Sequence, residues 1–259
     1  MTKTVLITGA SSGIGKELAT CFAKDQFHLL LTARSEGALM EIKNQLENQF
    51  GVKVSIFKAD LSVPAERWAL MHWVDKETTT LTHLINNAGF GDTGLFENTD
   101  WNKNQQMMDL NIDALTHLCH HFVPKMKAAG FGRIMNVAST AAFQPGPSMA
   151  VYFATKSYVL HFSEAINGEL KGTGVSVTAL CPGATHTQFA KVAGFQDNGI
   201  FDASKKLPSA QEVAEYGYRA LNQQKSVAIH GLKNYLLANT SRFFPRDMVV
   251  AITKMMMKG

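Results

Sequence analysis

The sequence predicts an α/β protein, a doubly wound parallel sheet of about seven strands with helices on both faces. Short β-branched or leucine-rich runs alternate with helix-period segments almost to the end of the chain. Each run is separated from the next by enough chain for a helical crossover, as parallel neighbours require. The 259 residues are 46% hydrophobic and 18% charged, ample material for a large core. No low-complexity stretch, charge block or Pro/Gly-rich linker divides the chain, so one domain is expected over 1–259.

The first strand, TVLIT at 4–8, runs into the stretch LITGASSGIGKELA and a helix over 13–24. Gly9 permits a tight turn, and Gly13 and Gly15 let backbone and helix approach a ligand closely. The new helix offers free N–H groups and its positive dipole end to a pyrophosphate, with Ser11, Ser12 and Ile14 completing the loop. The second strand, HLLLT at 28–32, ends in ALA-ARG, with Ala33 where an acid would hold a ribose 2′-hydroxyl. Arg34 follows directly, with no carboxylate placed to repel a 2′-phosphate, which predicts NADP over NAD.

A helix over 36–49, the strand KVSIFKA at 53–59, a helix over 64–78 and the strand HLINNA at 83–88 close the first half. The second half repeats the plan. A long helix over roughly 101–128 leads to the strand GRIMNVA at 132–138. The next helix carries SMAVYFATKSYVL at 148–160, with Tyr152 and Lys156 one turn apart on a largely apolar face. A buried lysine is costly unless something nearby uses its charge. After the strand GVSVTAL at 174–180 comes an irregular region at 184–208, of a length that usually marks a functional loop. A helix near 209–223, the strand SVAIH at 226–230 and a C-terminal helical segment over about 231–258 complete the chain.

Composition excludes several classes. The net charge of +4 comes from scattered basic residues, without the aromatic-laced patch that nucleic-acid binding needs. Cys21, Cys119 and Cys181 are far apart in apolar segments and read as reduced core residues rather than disulfides or ligands. His120, His121 and His161 show no ligand spacing, so no metal is expected. The chain enters a strand at once and holds no apolar run of spanning length, which predicts a soluble, cytoplasmic protein.

Taken in order, seven landmarks resemble the short-chain dehydrogenases/reductases, above all their NADP-preferring bacterial-type branch. They are TGASSGIG at 8–15, ADLS at 59–62, NNAG at 86–89, LNIDA at 110–114, NVAS at 136–139, YFATK at 152–156 and PGATHT at 182–187. The resemblance implies a Rossmann-type fold and an NADPH-dependent reduction of a ketone or aldehyde to an alcohol. Tyr152 would be the general acid, Ser139, thirteen residues before it, the hydrogen-bond donor to the carbonyl oxygen, and Lys156 the anchor on the nicotinamide ribose. The Lys156 ammonium is expected to lower the Tyr152 pKa from its reference of about 10. Asn111 is similar to an asparagine that kinks the long helix and holds a relay water. Asp60 and Leu61 would meet the adenine and Asn87 its ribose, while Asn86 braces the sheet. Pro182, Gly183, Thr185 and Thr187 would line the nicotinamide.

Three rival readings stay open: an NAD-linked alcohol dehydrogenase, a dinucleotide-sensing protein without chemistry, and a structural or membrane-associated interaction protein using the C-terminal helix. The second would be expected to have lost the tyrosine or lysine. Residues 184–208 are expected to form a substrate lid with Phe189, Val192, Phe195 and Phe201 as its apolar side chains, faced by Phe143 and Met149. Gly194 and Gly199 would hinge it, and Lys191, Lys205 and Lys206 leave room for an anionic tail. Ala154, Tyr158, Phe162 and Ala165 make the Tyr/Lys helix apolar on a second side, and with the family's habit this predicts a homodimer or homotetramer. The apolar, basic C-terminal segment is expected to join that contact or complete the pocket, and membrane contact is not expected.

Overall fold

The computed structural model describes residues 3–194 and 207–257. Its centre is one seven-stranded parallel sheet in the order β3-β2-β1-β4-β5-β6-β7. The strands are β1 Thr4–Thr8, β2 His28–Ala33, β3 Val54–Lys58, β4 His83–Asn86, β5 Gly132–Val137, β6 Val175–Cys181 and β7 Val227–Ile229. The helices are α1 Gly13–Lys24, α2 Glu36–Phe50, α3 Pro64–Glu77, α4 Trp101–Met108, α5 Leu115–Ala128, α6 Ala150–Glu169, α7 Phe189–Val192, α8 Ala210–Asn222, α9 Leu232–Thr240 and α10 Arg246–Met257.

Every residue of β1, β2, β4 and β6 is buried, because helices cover both faces. Strand alternation divides the core in two. Val5, Ile7, Leu29 and Leu31 pack under α1, α2 and α8. Leu6 and Leu30 point the other way, with Leu70 of α3, Phe122 of α5 and Val159 of α6. Truncating a side chain such as Leu6 to alanine would cost about 2–5 kcal/mol.

Local chemistry sets several boundaries. Ser35 caps α2 by accepting the Ala38 N–H, and Pro64 opens α3 at a position where its missing N–H costs nothing. The long helix predicted over roughly 101–128 is interrupted around Asn111, the residue that the resemblance marked as its kink. Residues Asp109–Ala114 form a π-helical turn between α4 and α5. The C-terminal segment likewise divides into α9 and α10, with Pro245 just before the second.

The sheet order reverses between β1 and β4, and the crevice at their carboxyl ends is where ligands bind in doubly wound folds.

Candidate active site

The turn after β1 is made by backbone. Gly9 has φ +63°, and a Cβ there would lie 2.9 Å from Ala88 Cα. At Gly15 a Cβ would lie 2.4 Å from both Gly9 O and Asn87 Nδ2, so α1 can close on the turn only without a side chain. Asn87 fixes the turn from β4, its Nδ2 donating to Thr8 O at 3.0 Å and Gly9 O at 3.1 Å. Its predicted place beside a ribose therefore coincides with a bracing role. Ser12 caps α1 without a side-chain hydrogen bond, and no acid occupies the first turn. The amides at this helix start face outward with their positive dipole end unanswered. Ser11 and Ile14 sit beside it, half-buried, and Thr187 Cγ2 lies within 3.3 Å of where a Gly13 Cβ would stand. This cradle fits a pyrophosphate.

Arg34 is exposed at the end of β2 and makes no hydrogen bond or ion pair among the described residues. Asp60 Oδ1 accepts from Ser62 N at 3.0 Å and Ser62 Oγ at 2.7 Å, which shapes the entry to α3. Leu61 is buried in a small cleft with Thr8, Ala88 and Leu110. Asn86, buried, donates to Asn136 Oδ1 at 2.9 Å and so ties β4 to β5.

The second half of the crevice is closed and apolar. Tyr152, Phe153, Met149, Met107 and Ala141 form one buried cluster, with Phe90, Val151, Phe189 and Met257 packed on it. The Phe189 ring lies 5.3 Å from the Tyr152 ring, centroid to centroid. Gly91 makes that contact possible: a Cβ there would stand 2.8 Å from Phe189 Cζ and 3.1 Å from Tyr152 Cδ2. Thr93 Oγ1 donates to Ala193 O at 2.9 Å and holds the segment in place. Phe143 stands apart, half-buried against the core under α5 and α6, with its carbonyl accepting from Ser241 Oγ at 3.2 Å. A small open cleft, lined by Asp92, Ser148, Met149 and Tyr152 among others, adjoins the tyrosine.

Lys156 is buried and donates to Val137 O at 2.8 Å. Its ammonium lies 5.8 Å from the centre of the Tyr152 ring. Burial lowers its pKa to about 8. The expected lowering of the tyrosine is corrected here. Burial pushes the Tyr152 phenol up to about 12, and the opposing influence is a hydrogen bond from Ser139 rather than the lysine. Burial penalises the charged phenolate, while the Lys156 ammonium is committed to the Val137 carbonyl. Ser139 Oγ accepts the Ala141 N–H at 3.1 Å and donates to Pro182 O at 3.5 Å, which fixes the hydroxyl beside the phenol.

Asn111 sits in the π-helical turn, almost fully buried. Its Nδ2 donates to Phe90 O and to Thr155 Oγ1, each at 3.0 Å, and its Oδ1 accepts Phe90 N–H at 3.2 Å. Gly89 separates it from the lysine: a Cβ there would meet Asn111 Oδ1 at 2.9 Å and Lys156 Nζ at 3.5 Å. Asn111, Lys156, Tyr152 and Ser139 are thus brought together along one wall. Sequence reasoning missed Gly89, Gly91, Thr155 and Met257; the glycines of NNAGFG were the available signal.

In PGATHT, Pro182 O accepts Thr140 N–H at 2.9 Å, and Gly183 lies under Asn234 of α9. Thr185 is buried and donates to Gly183 O at 2.9 Å, while Thr187 Oγ1 accepts Phe189 N–H at 3.2 Å. Val192 and Lys191 are exposed on α7. The remaining lid expectations, Phe195, Gly199, Phe201, Lys205 and Lys206, lie outside the described residues. Cys21, Cys119 and Cys181 are buried and unpaired. Among the described residues no three His, Cys, Asp or Glu side chains gather as a metal site.

Residues 3–197 match the protein family described as short chain dehydrogenase. Sulfoacetaldehyde reductase 2 of Chromohalobacter salexigens is 34% identical over 229 residues, covering 83% of this chain and 86% of that protein. A short-chain dehydrogenase from Sphingobium yanoikuyae, solved in complex with NADPH, is 32% identical with a TM-score of 0.83, over 93% of this chain and 94% of that one. A short-chain dehydrogenase/reductase from Burkholderia phymatum in complex with NAD is 26% identical with a TM-score of 0.82, over 92% of each chain.

Proposed function

The chain belongs to the short-chain dehydrogenase/reductase family of oxidoreductases, and on that premise we propose that it reduces an apolar ketone or aldehyde with NADPH. The observation that carries this reading is the single wall on which Ser139, Tyr152, Lys156 and Asn111 meet beside an uncapped α1 start. Gly9, Gly13, Gly15 and the α1 amides would hold the pyrophosphate, Arg34 the 2′-phosphate, and Lys156 the ribose hydroxyls near the nicotinamide. Asp60 and Leu61 would border the adenine. When bound, the cofactor supplies the hydride.

The chain's own residues handle the proton. Tyr152 gives its phenolic proton to the substrate oxygen, and Ser139 donates a hydrogen bond to that oxygen as charge develops. A phenol kept neutral by burial is in the form a reduction requires at pH 7. Asn111 holds Phe90 and Thr155, and through Thr155, whose hydroxyl donates to Tyr152 O at 2.8 Å, sets the start of α6. Phe189, Met149, Phe90 and Met257 keep water from the phenol and favour an apolar substrate. The Chromohalobacter relative is named for reducing an aldehyde, which agrees with the direction proposed. Residues 1–259 would act as one domain with 184–208 as the lid. The outer face of α6, where Tyr158 stacks on Phe162 and stands 38% exposed, is the proposed contact of a homodimer or homotetramer.

The NADPH complex of the Sphingobium relative and the unpaired Arg34 support the cofactor choice. The NAD complex of the Burkholderia structure favours the second reading, an NAD-linked alcohol dehydrogenase. Fluorescence titration with NADPH and NADH separates them. NADPH is expected to bind at least about tenfold more tightly, the value of one charge-assisted phosphate contact of roughly 1.5–3 kcal/mol, and Arg34→Ala should erase the difference. Equal affinities in the unaltered protein reject the reading of Arg34.

A further inference from the structure

We propose that α9 and α10 form a docking face for an anionic lipid bilayer, on which they lie in the plane of the surface. Much of the large apolar surface left exposed by the fold is concentrated here. Phe243 is 84% exposed, Leu232 and Met255 are each 75% exposed, and Tyr235, Leu236 and Ile252 stand out beside them. A soluble surface does not gather such side chains in one short stretch without a partner.

Helix α10 has two apolar sides. Val249 and Val250 are half-buried, Thr253 is buried, and Met257 packs on the cluster that holds Tyr152. The side made by Met248, Ile252 and Met255 faces outward. Completing the pocket accounts for one side and leaves the other bare.

Charge decides what covers it. Lys233, Arg242, Arg246 and Lys254 are exposed and make no ion pair among the described residues, and Asp247 is the single acid from 232 to 257. In a two-fold contact the same patch must answer itself. Four cations meeting four cations with one acid on each side repel. A sheet of anionic headgroups answers all four, while the aromatic and methionine side chains enter the acyl boundary. No described helix is long and apolar enough to cross a membrane, so the contact is with the surface. It would bring an apolar substrate pocket, walled by Met257, to the phase where such substrates dissolve.

The test is flotation of the full chain with phosphatidylcholine vesicles, with and without phosphatidylglycerol. Flotation is expected only with phosphatidylglycerol and should be lost in high salt. Arg242→Ala with Arg246→Ala should lower partitioning about 30-fold, at about fivefold or 1 kcal/mol per cation. Phe243→Ser with Met255→Ser should lower it at least about tenfold. Both double variants should keep the wild-type melting temperature and mass in solution. Absence of flotation, or equal flotation with neutral vesicles, overturns the proposal. So does a fall in oligomeric mass in the Phe243/Met255 variant without loss of vesicle binding, which assigns the face to a second copy.

Discussion

At the end of β1 the chain builds a crevice largely from backbone, with close-packed glycines and a helix start that the Ser12 side chain does not cap. At the ends of β4, β5 and β6 it builds one from packed side chains drawn from six separate segments, Phe90, Met107, Ala141, Tyr152, Phe189 and Met257. The first is polar and open, suited to an anion that brings its own charge. The second is desolvated, and that desolvation shifts its two titratable members toward neutrality, the phenol up to about 12 and the ammonium down to about 8. One crevice is arranged to meet charge and the other to exclude it, and a hydride transfer needs both within one cleft.

The largest effect expected is on the packed side. Tyr152→Phe removes one hydroxyl and should cut turnover by about 10²–10⁴-fold, the usual range for a general acid. Cofactor affinity should stay within about twofold of wild type, because the backbone crevice is untouched. Steady-state kinetics with fluorescence titration measures both, and undiminished turnover would remove Tyr152 as the donor. Next in size is the converse change. Gly15→Ala puts a Cβ 2.4 Å from Gly9 O, where backbone cannot yield. It should cost roughly 1–3 kcal/mol in stability and weaken cofactor binding at least about tenfold. Binding retained at wild-type strength would show that the turn is not the cradle.

Lys156 sharpens the comparison through pH. A lysine neutral above about pH 8 when folded and above about 10.4 when unfolded makes the unfolded chain the greater proton binder between those values. Its buried charge therefore opposes folding below pH 8, and the penalty fades as pH rises to about 10.4. Lys156→Met should melt above wild type at pH 7 without cofactor, with the gain shrinking toward pH 10. A gain that is constant across this range would mean that the folded amine stays protonated throughout and that burial does not lower its pKa.

The sequence made the open crevice legible and the closed one only partly so. A glycine that must adopt φ +63° or admit a helix is a single-letter signal, so Gly9, Gly13 and Gly15 could be read directly. The strands were legible for the same local reason, since each is a short apolar run. Packing is not local. Phe189 and Met149, expected on opposite sides of a substrate lid, both pack on the cluster that holds Tyr152, whereas Phe143, equally apolar, turns to the core. Met257 reached the site from the far end of the chain. The reversed direction of the Tyr152 pKa has the same origin, because the helix repeat gives the lysine's position but not how much water remains. The resemblance gave a kink at Asn111 but not its form, a π-helical turn at Asp109–Ala114, because the bonds that hold it run from Asn111 to Phe90 and Thr155, far away in sequence.

The smallest effect separates two serines that look alike in sequence, each opening a helix. Ser209 and Glu212 form a reciprocal capping box at α8, so that helix start is satisfied from within. Ser12 at α1 makes no such bond. Ser209→Ala should therefore cost about 1 kcal/mol, or roughly 2–4 °C in a domain of this size, and leave cofactor affinity unchanged. Ser12→Ala should leave the melting temperature of the free protein nearly unmoved and weaken NADPH by a factor of roughly three to ten, the worth of one hydrogen bond. Thermal melts with and without NADPH read both at once. If Ser12→Ala lowered the free protein's melting temperature as much as Ser209→Ala, α1 would be closing its own end, and its amides would not be held in reserve for a phosphate.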